Sequence, residues 1–498
     1  MSGDKREYGD YQTPEDFCAE ICAYVLESCG TKGLEAVFEP SCGIGNFISA
    51  VSKRLSLPVS GVEIDPEYAR RASERLPGAH IVNGNIFDCD IDAVCPYRNV
   101  LVIGNPPWAT NSALRHNLPQ KSNFKKLRGI DALTGSSNFD ICEYIILRMA
   151  EHFSGTNSVI CMLCKTSVAR NVLLETDRKR IPCRSAEMLC FDARKVFGVS
   201  ASACVLIIQL SVEKVYSPVI CSVKNMRSPE IIDRLSVFDG VLRSENTPAE
   251  ELEGKCRLKW RSGVKHDCGR VMELELMDGK LFNRYKERVS VEPDMIFPLA
   301  KSSTFKKPVV SDFKKYVIVT QRSAGQDTGY IENEYPLLWE YLTEHDKDFK
   351  SRKSVIYKKA GGFSMFGIGD YSFSPYKVGI SGFYKKPFFS LLVSDKPVMT
   401  DDTSYFLPFS RYDDAYAAML LLNSRRVREH LAASSFSDSK RPFTAKLLSR
   451  LDLVKCIASV SFKELEESET QLGLEARATE AMYEGLYTNL RSEQYSKS

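Results

Sequence analysis

Between Thr13 and about Leu210, short apolar runs at 36–38, 59–62, 100–103, 159–163 and 203–210 alternate with stretches whose apolar residues recur at helical spacing. Continuous apolar runs bounded by polar turns read as buried strands. Strands separated by amphipathic helices predict an α/β domain with a mostly parallel sheet. After about Val212 the strand-like runs shorten, Gly and aromatic residues become denser, and Lys and Arg cluster. A boundary is therefore expected near 213, with one domain over 1–213 and a second, α+β in texture, over 214–461. Residues 361–392 are rich in Gly, Phe, Tyr and Lys and predict twisted strands and tight turns. Over 462–498, Leu465, Leu472, Leu474 and Leu486 punctuate Glu-rich polar faces and predict a helical tail.

Composition narrows the class without choosing a function. The 498 residues are 43% hydrophobic and 26% charged, enough for two to four domains with their own cores. Their net charge of +3 is close to neutral, so any affinity for nucleic acid must rest on local features. No uncharged apolar run approaches the roughly 20 residues that span a bilayer, and residues 1–10 are polar, which predicts a cytoplasmic protein with no membrane partner. The 16 cysteines are scattered through apolar segments without an export signal and are expected to be buried free thiols. Cys161 and Cys164 have zinc-like spacing but no second pair, and no metal is expected.

The first candidate chemistry follows the first strand. Val37-Phe38 runs into Glu39-Pro-Ser41-Cys-Gly43-Ile-Gly45-Asn-Phe47, and Ile48, Val51 and Leu55 then recur at helical spacing. A strand, a glycine turn and a helix N-terminus let the backbone approach a ligand closely, with free amides aimed at it. Glu63 stands at the end of the second strand, where an acid can accept both ribose hydroxyls of an adenosine moiety. Ile48 occupies the place of the third glycine of the dinucleotide fingerprint, which argues against nicotinamide or flavin. Next comes Asn83-Gly-Asn85-Ile86-Phe-Asp88, where Asn85 could address an adenine amine and Ile86 cover its ring.

The decisive pattern is Asn105-Pro106-Pro107-Trp108, immediately after the apolar run ending at Gly104. An amine conjugated to a heteroaromatic ring is a poor nucleophile, because its lone pair is delocalised. Hydrogen bonds from that amine to the Asn105 side-chain oxygen and the Pro106 carbonyl would make the nitrogen more tetrahedral. The prolines fix φ and remove competing N–H groups, so the acceptors sit in a rigid frame. Trp108 offers a flat face to a base held outside its helix, a contact of about 1–3 kcal/mol.

These motifs, in this order, resemble the gamma class of amino-methylating DNA methyltransferases of restriction–modification systems. The resemblance implies a Rossmann-like S-adenosylmethionine-dependent methyltransferase domain, a C-terminal α+β target recognition domain, and N6-adenine methylation of duplex DNA. It implies S-adenosyl-L-methionine as cofactor, action as a monomer on DNA, and a functionally paired restriction endonuclease. Tyr11-Gln-Thr13-Pro-Glu-Asp-Phe17 is similar to the family's N-terminal motif, in which Thr13 would bind the methionine end of the cofactor. Glu39, Ser41, Gly43 and Gly45 match the glycine-loop motif, Glu63 the ribose acid, and Asn85 the place where many relatives carry aspartate. In the catalytic motif tryptophan replaces the commoner tyrosine. Ser136-Ser-Asn-Phe139 and Val196-Phe-Gly-Val-Ser200 resemble the motifs that follow. Members of the class carry a second aromatic near the latter for the other face of the base, which sequence alone does not locate. Trp260-Arg-Ser-Gly-Val-Lys265, Phe297-Pro-Leu-Ala-Lys-Ser302 and Tyr316-Val-Ile-Val319 resemble the opening of the recognition domain, and Ser437-Asp-Ser-Lys-Arg-Pro-Phe-Thr444 its C-terminal basic motif.

Within that second half, Lys265, Lys377, Lys385, Lys440 and Arg441 are the expected DNA contacts. Lysines there alternate with aromatics, and Lys440-Arg441 precedes a proline and a Thr N-cap. Cytosine ring-carbon methylation is rejected: Pro182-Cys183 lies among charged residues, and no Glu-Asn-Val is present. Cytosine N4 methylation stays open as an alternative, as does the same tetrapeptide acting on RNA or on protein glutamine. The 285 residues after 213 argue against those last two substrates. A catalytically silent DNA-binding subunit would have no need of Asn105 and both prolines, and Glu253-Gly-Lys255 lacks the Asp partner of a nuclease site.

Overall fold

The computed structural model describes residues 12–108, 140–213, 217–228, 230–238, 240–245, 250–436, 439 and 441–492. The chain divides into two compact units, Met1–Asn246 and Thr247–Ser498.

In the first unit the apolar runs form strands. In chain order its elements are α1 (Glu15–Cys29), β1 (Ala36–Glu39), α2 (Asn46–Ser52), β2 (Val59–Glu63), α3 (Pro66–Arg75), β3 (His80–Asn83), α4 (Ile91–Val94), β4 (Val100–Gly104), α5 (Ile141–His152), β5 (Val159–Lys165), α6 (Thr166–Arg178), β6 (Cys183–Asp192), α7 (Ala193–Phe197), β7 (Ser202–Leu210), β8 (Ile220–Asn225), β9 (Ile231–Phe238) and β10 (Val241–Ser244). Among the described residues they build one sheet in the order β10-β9-β8-β6-β7-β5-β4-β1-β2-β3. From β3 to β5 every pairing is parallel, and β7 inserts antiparallel between β5 and β6. β1, β2 and β4 are buried along their whole length, as strands covered on both faces must be. Asp65 caps α3 through its Oδ1, which accepts from the Glu67 and Tyr68 N–H groups at 2.9 and 3.1 Å ahead of Pro66 in the first turn.

The expected boundary at 213 falls inside this unit. β8 pairs in parallel with β6 and carries the β9–β10 strands with it, so the sheet continues to Ser244.

Among its described residues the second unit has two sheets. One is ordered β11-β21-β18-β19-β16, from Arg261–Ser262, Ser404–Phe409, Tyr376–Ser381, Phe389–Leu392 and Val309–Val310. The other is β14-β13-β12-β17-β15-β20, from Arg288–Val289, Lys280–Phe282, Glu273–Met277, Lys315–Ile318, Ile296–Ala300 and Met399–Thr400. The first sheet packs its Val378 and Ile380 face in a core with the helix Tyr412–Asn423. The expected helical tail forms the helices Phe462–Gln471 and Glu480–Arg491, whose Leu465, Tyr483, Leu486 and Leu490 are buried in that same core. All 16 cysteines are free, and Cys164 Sγ and Cys204 Sγ stand 4.0 Å apart without a bond. Among the described residues no helix is long and apolar enough to cross a membrane.

Candidate active site

In a parallel sheet the strand order reverses at one place, and the crevice beyond the carboxyl ends there is where ligands fit. Here that place lies between β1 and β4. Glu39 ends β1, Glu63 ends β2, Asn85 lies two residues beyond β3, and Asn105 follows β4 directly. Gly45 caps α2 at φ +81°, and a Cβ there would come within 3.2 Å of the Ala72 backbone, so glycine permits both the turn and the close packing of α2 on α3. The Gly43 N–H donates to Glu63 Oε2 at 2.7 Å and the Asp65 N–H to Oε1 at 2.9 Å, which clasps the Glu63 carboxylate against the glycine turn.

Glu39 is 2% exposed, and its Oε2 has no hydrogen-bond partner among the described residues. Burial holds its carboxyl well above the usual carboxylate range, the Ile48 N–H pulls the other way, and neighbouring Glu63 adds to the rise. Ser41 Oγ is likewise buried without a partner among the described residues. A Cβ on Gly104 would sit 3.1 Å from Glu39 Cγ, so β4 leaves room for that carboxyl only as glycine. Asn85 Oδ1 accepts from the Phe87 N–H at 3.1 Å, and Arg148 of α5 donates to the Ile86 carbonyl and, at 2.8 Å, to that of Cys89. The loop after β3 is thereby tied to α5.

The tetrapeptide Asn105–Trp108 is held from two directions. Asn105 Nδ2 donates to Thr13 Oγ1 at 3.2 Å, and the Thr13 carbonyl accepts from Asn46 Nδ2 at 2.7 Å. Arg75 then joins Asn46 Oδ1 at 2.7 Å to Glu15 at 2.5 Å, so the chain before α1 is fastened to both the glycine turn and the tetrapeptide. From the other side Lys165, at the end of β5, donates to the Trp108 carbonyl at 3.3 Å and pairs with Asp140 Oδ2 at 3.0 Å. Trp108 is 8% exposed and meets Phe197 edge to face, with centroids 5.4 Å apart and planes at 70°. Phe191 lies 6.2 Å beyond Phe197, and Phe17 5.0 Å beyond Phe191.

One end of the sheet thus collects Thr13, Glu39, Ser41, Gly43, Gly45, Glu63, Asn85, Ile86, Asn105, Pro106, Pro107 and Trp108. Tyr11, Ser136 to Phe139 and Lys440 lie outside the described residues. Sequence reasoning missed Lys165, which no motif marked, and Phe197, which it quoted within a motif without a role.

Among the expected DNA contacts, Lys377 is a correction. It is 1% exposed, its Nζ donates to the Ser374 carbonyl at 2.9 Å, and burial pushes its pKa down to about 7. A side chain so enclosed cannot meet a phosphate. Lys265 is half-buried 3.8 Å from Asp267. Lys385 donates to the Ser439 carbonyl at 2.5 Å, and Arg441 donates to the Asp402 carbonyl at 3.2 Å and lies over the Phe383 ring.

No family model matches the chain. Over 469 residues it is 35% identical to the Type II methyltransferase M.NspV of Nostoc sp. (strain ATCC 29411 / PCC 7524), covering 90% of this chain and 97% of that protein. The chain belongs to the Type II methyltransferases. A second member, M.CvrRI of Paramecium bursaria Chlorella virus XZ-6E, is 33% identical over 108 residues, 22% of this chain and 26% of that one. This Type II methyltransferase also resembles in fold the solved Type IIL restriction-modification enzyme MmeI, at a TM-score of 0.56 and 13% identity over 98% of this chain and 80% of that one. The fold is a Rossmann-like methyltransferase sheet followed by a C-terminal α+β unit.

Proposed function

We propose that the chain is a gamma-class enzyme that transfers a methyl group from S-adenosyl-L-methionine to the N6 amine of an adenine flipped out of a specific duplex DNA sequence. The observation that carries this is Asn105, directly after β4, hydrogen-bonded to Thr13 and next to Gly104, which packs on Glu39. The crevice suits the cofactor. Among the described residues buried Glu39 Oε2 and Ser41 Oγ lack partners that an ammonium and a polar main chain would supply, and Glu63 at the end of β2 would take a ribose. Thr13 and Glu39 would hold the methionine end, Glu63 the ribose, and Asn85 with Ile86 the adenine. When bound, the cofactor supplies a methyl group made electrophilic by its sulfonium.

The chain's own part is to bind and orient. With Asn105 Nδ2 committed to Thr13, the amide presents Oδ1 as the acceptor for the target amine, and the Pro106 carbonyl is the second. Both acceptors localise the lone pair on nitrogen, and the surplus proton leaves to solvent after transfer. Trp108 stacks on the base. Phe197, partly exposed and edge-on to Trp108, is the second aromatic of the base site and gives way as the base enters. Lys165 is a positioning residue that fixes the Trp108 carbonyl.

The unit from Thr247 is the target recognition domain, with Lys265, Lys385, Lys440 and Arg441 on DNA phosphates. The enzyme acts as a monomer beside a paired endonuclease. Single-turnover methylation tests the catalytic assignment: Asn105→Ala should abolish turnover and keep cofactor affinity within a few fold, and a near wild-type rate would sink it.

A further inference from the structure

The second unit carries an exposed loop that is anchored by buried polar side chains. After Lys315–Ile318 the chain runs through residues 320–329 to the helix Ile331–Glu334. Thr320 and Gln321 are 0% and 1% exposed, whereas 322–325 and Asp327 are exposed. Thr320 Oγ1 donates to the Phe363 carbonyl at 2.7 Å, and Gln321 Oε1 accepts from the Met365 N–H at 2.6 Å. Gln321 Nε2 donates to the Gln326 carbonyl, and Gln326 Oε1 accepts from the Arg322 N–H at 2.7 Å. Two buried side chains thus anchor a polar tip that adds no apolar surface to the core.

The tip presents a cation already laid in place. The Arg322 guanidinium lies 4.5 Å from the Phe373 ring centroid and has no hydrogen bond or ion pair among the described residues. Two residues earlier in the same turn, Asp370–Phe373, the Tyr371 ring carries Arg261 at 4.2 Å. Two separate segments therefore bring guanidinium groups onto rings of one short turn.

A free arginine side chain surrenders rotamer entropy when fixed, and a ring beneath it removes part of that cost in advance. A phosphate contact tolerates a mobile cation. A base contact needs its donors at a fixed position, and two parallel N–H groups match the O6 and N7 acceptors of guanine in the major groove. We propose that Arg322 is a specificity-determining residue that reads a guanine of the recognition sequence. The inference rests on the enzyme's being a DNA methyltransferase.

The test is methylation of a randomised duplex library by the full-length wild type, Arg322→Ala and Arg322→Lys, with kcat/KM and salt dependence on the resulting cognate duplex. Melting temperature and cofactor affinity of both variants should match wild type, since the side chain is exposed. The wild type should show one motif containing a G·C pair. Arg322→Ala should lose discrimination at one such pair by about 5- to 150-fold, with the other positions unchanged. Arg322→Lys should lose it too while keeping the salt slope, because an ammonium cannot make the paired contact. A wild type that methylates no DNA overturns the function and the inference together. A wild-type motif without a G·C pair, or one that survives both variants, overturns only the role of Arg322. So does a loss spread evenly over all sequences with a salt slope smaller by about one, which marks a phosphate contact.

Discussion

Replacing Glu39 by glutamine should move cofactor affinity and stability in opposite directions. The carboxyl is 2% exposed, with one oxygen lacking a partner among the described residues and Glu63 close by. If that oxygen meets the cofactor's ammonium, Glu39→Gln removes one charge-assisted hydrogen bond, worth roughly 1.5–3 kcal/mol, and weakens binding about 10- to 150-fold. Glutamine keeps the shape that packs on Gly104, so the unliganded protein should be at least as stable as wild type. The pH dependence has a definite sign. Because burial raises the folded-state pKa above the ordinary 4.5, protonation favours the folded state. Glu39 thus contributes stability fully present below pH 4.5, and that contribution is lost as pH rises through the raised value. The melting temperature of the variant should be flatter than wild type across that window. Cofactor affinity of the wild type should improve over the same rise in pH, as the ionised form becomes available, whereas the variant's should not. Calorimetric titration and thermal melts from pH 4 to pH 8 check both. Unchanged affinity together with a lowered melting temperature would make Glu39 a packing residue and refute the reasoning.

Trp108→Phe should keep measurable methylation while Trp108→Ala loses base stabilisation of roughly 1–3 kcal/mol, and a melting temperature that collapses in the alanine variant would mark a core tryptophan instead. Lys165→Met should lower the single-turnover rate more than it raises KM for DNA, with recovery in Lys165→Arg, which can still reach the Trp108 carbonyl and Asp140; equal losses in both variants would argue against positioning. Lys377, with its pKa lowered from 10.5 to about 7, binds fewer protons folded than unfolded between those values, so stability should rise with pH across that window. Lys377→Met should raise the melting temperature at pH 7 and flatten the rise; an unchanged profile would mean that the lysine is hydrated.

The crevice was legible in the sequence because its residues sit at strand ends, and strand ends are marked by apolar runs that stop. Glu39, Glu63 and Asn105 each follow such a stop, whereas Asn85 follows the half-exposed β3, which has no apolar run, and was legible only from its place in the order of motifs. The boundary at 213 failed for a related reason: Ile220, Ile231 and Ile232 of β8 and β9 are exposed, so those strands lack the continuous apolar signature of the ones they extend. Lys377 misled because a lysine among aromatics reads as a surface. In fact Val378 and Ile380 face one core, while Lys377 and Gly379 share the opposite face, where the Lys377 Nζ lies 5.6 Å from the Phe406 ring centroid and Phe305 approaches to 2.6 Å from the site of a Gly379 Cβ. Phe197 was hidden because α7 stops at Gly198, at φ +70°, and only tertiary packing lays its last residue on Trp108.

The most direct test of the central claim is base-resolution sequencing of modified DNA from cells expressing the wild-type chain and, separately, Asn105→Ala. N6-methyladenine is expected at one recurring sequence in the first sample and nowhere in the second. Methyl groups on cytosine N4, no mark in DNA, or a mark that persists without Asn105 would contradict it.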